Sequence, residues 1–339
     1  MTPEHSVVEV NGTPGSPQTR TVAVSIIIPA LNEEKMIGRC LTSLTTLDFA
    51  RNHFEVILVD NGSRDRTIEI AQSFQDRLDL RILEKTGVRI SGLRNLGAQS
   101  ARGEIVAFLD ADCLAPKEWL HCILELGPGG NVGVIGAHYL LPDDSSWVGR
   151  TWHRYQEAEK SGEVSHVPAG DLIMRRDDFL RLRGFDETIQ TNEDYELCER
   201  VRKAGMTVRA YPQIGVVHLG TAQSLRVFFR KQAWHGTHVV KVFLRNVFGS
   251  HNLKAVGFAA YTLLCLVGIP AGLAWALIAH GSWLVAPAAL TALLLPPAAL
   301  SMRQVAGSRR WRDFFPLLAL YTTYGIARAR ALLNIKNFF

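Results

Sequence analysis

Apolar and polar positions alternate along this chain in three distinct ways. From Val22 to Leu109, short apolar runs are separated by stretches with a helical period. Val22–Ile28 (closed by Pro29), Phe54–Val59, Leu80–Leu83 and Glu104–Leu109 read as buried strands. Between them, Glu33–Leu47 places Met36, Ile37, Cys40, Leu41 and Leu44 on one helical face, and Thr67–Leu78 and Gly92–Ala101 read as further helices. Such alternation predicts an α/β fold with a mixed, mostly parallel sheet and flanking helices. Beyond Trp119 the pattern loosens, with strands expected at Val132–Leu141 and Val167–Met174 and helices at Trp147–Lys160 and Asp194–Ala204.

The second pattern mixes aromatic and basic residues. Leu225–Phe248 carries Phe228, Phe229, Trp234 and Phe243 among Arg226, Arg230, Lys231, Lys241 and Arg245, as expected of a helix lying at an anionic membrane surface. The third is purely apolar: Ala255–Met302 contains no Asp, Glu, Lys or Arg. At 1.5 Å per residue this run reaches about 70 Å, against a hydrocarbon core of about 30 Å, so two spans fit better than one. His280-Gly281-Ser282 divides it, and Pro270, Pro296 and Pro297 are expected to kink the spans. Basic residues flank both outer ends, which predicts a hairpin with those ends in the cytoplasm. Phe314–Ala327 is too short to cross and reads as an interfacial or re-entrant segment.

The resulting plan is a polar, disordered tail (1–21), a soluble domain (22–222), an interface helix (223–252), a transmembrane hairpin (253–302) and a basic C-terminal segment (303–339). Five cysteines without a Cys-x-x-Cys pair argue against a disulfide scaffold or zinc site and for a reducing compartment. The net charge of +5 is modest, and no nucleic-acid partner is expected.

In sheets of this kind ligands sit beyond the carboxyl ends of the strands, where the polar clusters of this sequence fall. Asp110 and Asp112 follow an apolar strand at i and i+2, so both carboxylates can face one ligand, as two oxygen donors for Mg²⁺ or Mn²⁺ held with a phosphate. Taken alone, Asp-x-Asp is more often a turn. Gly87–Gly92 has phosphate-loop spacing, but Leu93 and Arg94 stand where Lys and Ser or Thr are needed. No Gly-x-Gly-x-x-Gly follows the first strand.

Pro29-Ala30-Leu31-Asn32-Glu33-Glu34, Val59–Asp65, Leu93–Ala98, Phe108–Asp112, Gly184-Phe185-Asp186-Glu187 and Glu193-Asp194 occur in that order. Together they resemble family 2 glycosyltransferases, inverting enzymes of the GT-A fold, over about Val22 to His218. The resemblance implies a nucleotide-sugar donor, in particular a UDP-sugar, and a divalent metal. It implies that Asp60 reads the base, Pro29, Ala30 and Glu33 line base and ribose, and Arg94 lies near the nucleotide. Asp110 would contact ribose or metal-bound water, and Ala111 would belong to the cofactor-binding residues. Asp112 would coordinate the metal with Asp110 and, as an additional ligand, His218, for which a structural histidine is a competing reading. Asp194 would be the general base, with Glu193 beside it. Acids in a first helical turn are also favoured by the helix dipole, so capping is a competing reading of that pair.

Two departures stand out. Asp171, after Gly170, occupies a position where relatives often carry Asn, so acceptor contacts are expected to differ. Gln232-Ala233-Trp234 matches the processive-synthase signature only faintly. The leading expectation is therefore a multi-pass enzyme of the cytoplasmic membrane that moves a single sugar to a lipid-linked saccharide, polyprenyl phosphate or nascent glycan. A processive polysaccharide synthase, a nucleotidyltransferase on a related sheet and a non-catalytic sugar-nucleotide-binding membrane scaffold are the alternatives.

Overall fold

The computed structural model describes residues 8–9, 22–157, 161–189, 191–236, 250–278 and 284–333. Two compact units emerge, Met1–Pro142 with Glu157–Gly220, and Asp143–Gln156 with Thr221–Phe339. The first holds strands β1 (Val8–Glu9), β2 (Val24–Ala30), β3 (Phe54–Asp60), β4 (Leu80–Glu84), β5 (Ile105–Leu109), β6 (Cys113–Leu114), β7 (Val132–Gly136), β8 (Gly162–Glu163), β9 (Asp171–Arg175), β10 (Thr207–Ala210) and β11 (Val217–His218). Among the described residues, nine of these form one sheet in the order β1-β4-β3-β2-β5-β9-β7-β10-β8. The run β4, β3, β2, β5 is parallel. β9 enters antiparallel between β5 and β7, and β10 runs parallel to β7. The mixed, mostly parallel sheet expected from the apolar pattern is present.

Every residue of β2 and β3 is buried, which their continuous apolar runs require, since central parallel strands are covered on both faces. Glu55, with Asp60 at the strand's end, is a polar exception in β3. Its carboxylate accepts from Ser25 Oγ at 2.6 Å and from the Arg102 backbone N–H and Nε at 2.6 and 2.8 Å. One face of the sheet packs against α1 (Ile37–Thr45), α2 (Thr67–Gln72) and α4 (Trp119–Leu126) through Leu41, Ala71 and Trp119. The other packs against α3 (Ile90–Ser100), α6 (Arg176–Arg181) and α7 (Glu193–Lys203) through Leu93, Phe179 and Val201.

α1 starts later than the period predicts. The backbone N–H groups of Glu33 and Glu34 donate to Thr67 Oγ1 at 2.7 Å and Asp65 Oδ2 at 3.1 Å, which holds residues 33–34 as a loop above the sheet. The helix expected from Trp147 is also shorter: α5 (Trp147–Trp152) passes into a wider π turn, His153–Glu157, and residues 158–160 lie outside the described region. At the N-terminus, Val8 and Glu9 pair with Glu84 and Leu83, while the rest of the expected tail lies outside the described residues.

The second unit contains α5, α8 (Leu225–His235), α9 (Ser250–Ile278), α10 (Val285–Ser308) and α11 (Phe314–Leu332). Trp152 of α5 knits it together, with its ring edge-on to Phe228 at 4.8 Å and stacked on Tyr324 at 5.6 Å. Asp313, directly before α11, accepts from Arg154 Nη1 and Tyr155 Oη, both at 2.9 Å. Residues 237–249, including Lys241, Phe243 and Arg245 of the expected interface helix, lie outside the described residues, as does the turn at His280–Ser282.

Val256–Ile278 is 23 residues long with mean hydropathy 1.9, sufficient in length and apolarity to cross a membrane. Among the described residues it is the one helix that meets this test. The two-span expectation is therefore met by one helix. α10 is richer in alanine and proline and includes Arg303, which lowers its apolarity. Pro296 has no N–H to give the carbonyl of Ala292 one turn earlier. Tyr261 of α9 donates its hydroxyl to that carbonyl at 2.7 Å, which joins the two helices at the point where proline removes a bond. α11 continues past Ala327 through Arg328 and Arg330, giving 19 residues with two cations near one end.

Candidate active site

The site forms where β2, β3 and β5 end side by side. Asp110 follows β5, and Arg94 lies on α3, which packs over β2 and β3. Fully buried, the Arg94 guanidinium donates from Nη2 to Asp110 Oδ1 at 2.6 Å and from Nη1 to Glu193 Oε1 at 2.7 Å. One cation thereby fixes two acids from distant parts of the sequence. Burial alone would raise the Asp110 pKa, but Arg94 and the Tyr139 hydroxyl hold it below the usual carboxylate value. Tyr139 donates to Asp110 Oδ2 at 3.1 Å and accepts from the Gly170 N–H at 3.2 Å.

Asp112 and His218 meet through backbone pairing. β6 and β11 form an antiparallel ribbon in which His218 faces Cys113, and the Leu219 N–H donates to the Asp112 carbonyl at 2.8 Å. Leu140 bonds the other edge of β11, giving its N–H to Val216 and accepting from His218. Tyr139 is thereby stacked on the His218 imidazole, with ring centroids 4.6 Å apart. Asp112 Oδ2 and His218 Nε2 are 3.4 Å apart, and with Cys113 Sγ the donor atoms all lie within 4.8 Å of one another.

That pair fits a divalent ion. Two donors at 2.0–2.3 Å from a common cation sit about 3 Å apart when adjacent in its coordination sphere. A carboxylate with an imidazole suits Mn²⁺, although hard Mg²⁺ also takes such oxygens. Burial, with Asp110 and Asp112 nearby, pushes the Cys113 thiol up, so oxygen and imidazole are the favoured donors. Glycines let the backbone approach these side chains closely. A Cβ on Gly220 would lie 2.2 Å from Asp112 Oδ2, and one on Gly170 would lie 2.2 Å from Asp110 Oδ2 and 2.5 Å from the Tyr139 hydroxyl.

Asp194 opens α7 beside Glu193. Asn192, with φ of 68°, turns the chain into that helix. Asp194 Oδ1 accepts from the Tyr195 N–H at 2.7 Å and Oδ2 from the Ala169 N–H at 3.3 Å. Burial raises its pKa, while the Tyr195 N–H, Arg94 and Ala169 N–H oppose the rise. Ala169 adjoins Gly170, so the peptide next to the Tyr139–Asp110 contact also holds Asp194.

Several expectations change on this geometry. Arg94, expected near the nucleotide, is 2% exposed and bonded to two carboxylates, a buried link between acids. Glu193 is likewise occupied by Arg94. Asp60, also 2% exposed, closes its own turn. Its Oδ2 accepts from the Gly62 and Ser63 N–H groups at 2.8 and 2.7 Å, and its Oδ1 accepts from Ser63 Oγ at 2.5 Å. No hydrogen bond among the described residues joins it to the Arg94 network. Pro29, Ala30 and Ala111 are buried at strand ends and Glu33 is half-buried. Burial, and then Asp112, Asp110 and Glu33, push the Cys40 thiol of α1 up. Asp171 is fully buried and cannot touch an acceptor. Tyr139, missed from sequence, lies in the loosened stretch after β7 where no motif marks it.

The profile of the family described as "Glycosyl transferase family 2" matches residues 25–183, a stretch that includes β2 to β5, Arg94, Asp110 and Asp112. The chain carries a family 2 glycosyltransferase domain. Glycosyltransferase AglE of Haloferax volcanii is 28% identical over 69% of this chain and 81% of its own length. The pre-mycofactocin glycosyltransferase of Mycobacterium tuberculosis is 27% identical over 91% of this chain, which spans 63% of that relative. The mannosyltransferase PcManGT from Pyrobaculum calidifontis, solved in complex with GDP-Man and Mn²⁺, superimposes with a TM-score of 0.61 at 20% identity, covering 95% of this chain and 88% of its own. At that identity the likeness speaks for the fold alone. The matched domain and the names of the relatives support a transferase enzyme.

Proposed function

We propose that the enzyme transfers one sugar, with inversion, from a nucleoside diphosphate sugar to an acceptor hydroxyl on a membrane-associated lipid or glycan. The observation that carries this reading is the chain of contacts from Glu193 through Arg94 to Asp110 and on through Tyr139 to His218 and Asp112. It aligns an acid-rich donor site with Asp194. Asp194 takes the acceptor proton; the acceptor oxygen then bonds to the anomeric carbon as the bond to the diphosphate oxygen breaks on the opposite face. Glu193 and Arg94 position this machinery without touching substrate. Asp112 and His218 would hold the metal, which when bound stabilises charge on the departing diphosphate. Pro29, Ala30, Ala111 and Glu33 line the base and ribose, and Asp60 shapes that wall through the turn it closes. A uracil base is the expectation. Apolar Val256–Ile278, preceded by Lys254, attaches the chain to the cytoplasmic membrane with that flank inside.

Asp194→Asn tests the assignment. Transfer from a panel of UDP-, GDP- and dTDP-sugars in Mn²⁺ should fall about 10²–10⁴-fold, while nucleotide affinity measured by calorimetry stays within about threefold of wild type. Near-normal turnover in this variant removes Asp194 from the role of base. Chelator-resistant turnover removes the metal.

A further inference from the structure

We propose that Arg328, aimed by Gln232, binds the phosphate of a lipid headgroup with net negative charge. The site is separate from the catalytic residues; it rests on the membrane-attached reading of α9 only in the choice of lipid over free phosphate.

The argument starts from a missing counter-ion. From Thr221 to Phe339 the sequence has 13 Lys and Arg and a single acid, Asp313. Arg154 and Tyr155 already engage that acid. Arg328 is nevertheless drawn into the helical unit. Its Nη2 donates to Gln232 Oε1 of α8 at 3.2 Å, and its Cζ lies 4.9 Å from the centre of the Tyr324 ring. Nε is buried with no acceptor. A guanidinium has five N–H donors, and the groups beside it here, the Gln232 amide oxygen and Tyr324, carry no full negative charge. Cations taken out of water are retained where an anion and hydrogen bonds complete them.

Position then selects the ligand. Tyr324 stacks on Phe258, with centroids 6.1 Å apart, and Phe258 lies two residues into the apolar stretch Val256–Ile278. The guanidinium over the Tyr324 ring is therefore near the start of the apolar helix, the level at which headgroup phosphates lie. Arg330, whose Cζ lies 5.7 Å from the Phe229 ring, adds a second cation on the same helix. Planar forked donors match phosphate oxygens better than a point charge does.

The full-length protein, delipidated in a neutral detergent, is melted with phosphatidylglycerol, phosphatidylcholine or inorganic phosphate. Phosphatidylglycerol should raise the wild-type Tm in a dose-dependent way beyond phosphatidylcholine, because a ligand that favours the folded state stabilises it. Arg328→Gln should abolish that increment, while Arg226→Gln, which removes an exposed charge from α8, should keep it. Arg328→Lys retains the charge and should still shift the dose midpoint at least about fivefold, since the fork is lost; it also serves if the Gln variant fails to fold. An undiminished increment in Arg328→Gln or Arg328→Lys, or equal effects of the two lipids, overturns the proposal. A full increment from inorganic phosphate alone overturns the lipid as its source. None of these readouts depends on sugar transfer, so loss of the catalytic assignment would leave this site standing.

Discussion

Asp194 and Asp171 are both acids inside the same unit, and their surroundings send them to different ends. Asp194 has two backbone N–H donors and partial access to solvent, so its raised pKa suits a base. If it takes the acceptor proton, kcat/KM should rise with pH as Asp194 loses its own proton, and the acid limb should lie above the ordinary carboxylate range. A pH–rate profile with a limb at the usual value would contradict this. Asp171 is buried with neither oxygen hydrogen-bonded. Burial pushes it well above its usual value, and N–H groups of Trp119, Ala137 and Val216 draw it part of the way back without closing a bond. A carboxyl whose pKa is raised by folding weakens the fold as pH climbs from the unfolded value towards the folded one. Asp171→Asn should therefore raise Tm at neutral pH, by about 2–4 °C per kcal/mol recovered, with the gain vanishing near pH 4. Thermal melts from pH 4 to 8 check the sign.

At the level of elements, the short ribbon β6–β11 and the strand-like segment at Leu140 decide where His218 points. Tyr139→Leu removes both the stack on His218 and the hydroxyl on Asp110. The Mn²⁺ concentration for half-maximal activity should rise about tenfold, as metal sites typically respond to loss of a supporting contact, while helix content by circular dichroism stays unchanged. Strands β2, β3 and β5 were legible because buried parallel strands leave apolar runs such as Ile26–Ala30 and Val56–Val59. The two-residue strands β6 and β11 were not, since their pairing is fixed by distant backbone and leaves no period. For the same reason Asp110 and Asp112 could be placed at a strand end, but the burial of Arg94 between Asp110 and Glu193 could not. A lone arginine on a helix gives no sign of which acids will surround it. The start of α1 was misplaced because side chains of Asp65 and Thr67, some thirty residues on, hold Glu33 and Glu34 out of the helix.

Over the whole molecule, the acids that serve chemistry lie before Gly220, and the bases dominate after it. An apolar helix among those bases predicts that the protein stays with the membrane pellet through high salt and alkaline carbonate. Release by carbonate would make the attachment peripheral and Val256–Ile278 a packed helix. The missing methyl group at Gly170 has a practical result. Substituting alanine there would force its side chain into the Asp110 carboxylate and the Tyr139 hydroxyl, displacing both while every functional group remains in the chain. A silent, folded enzyme made this way would keep Asp194, His218 and its helices. It would let donor capture, lipid capture and turnover be measured apart.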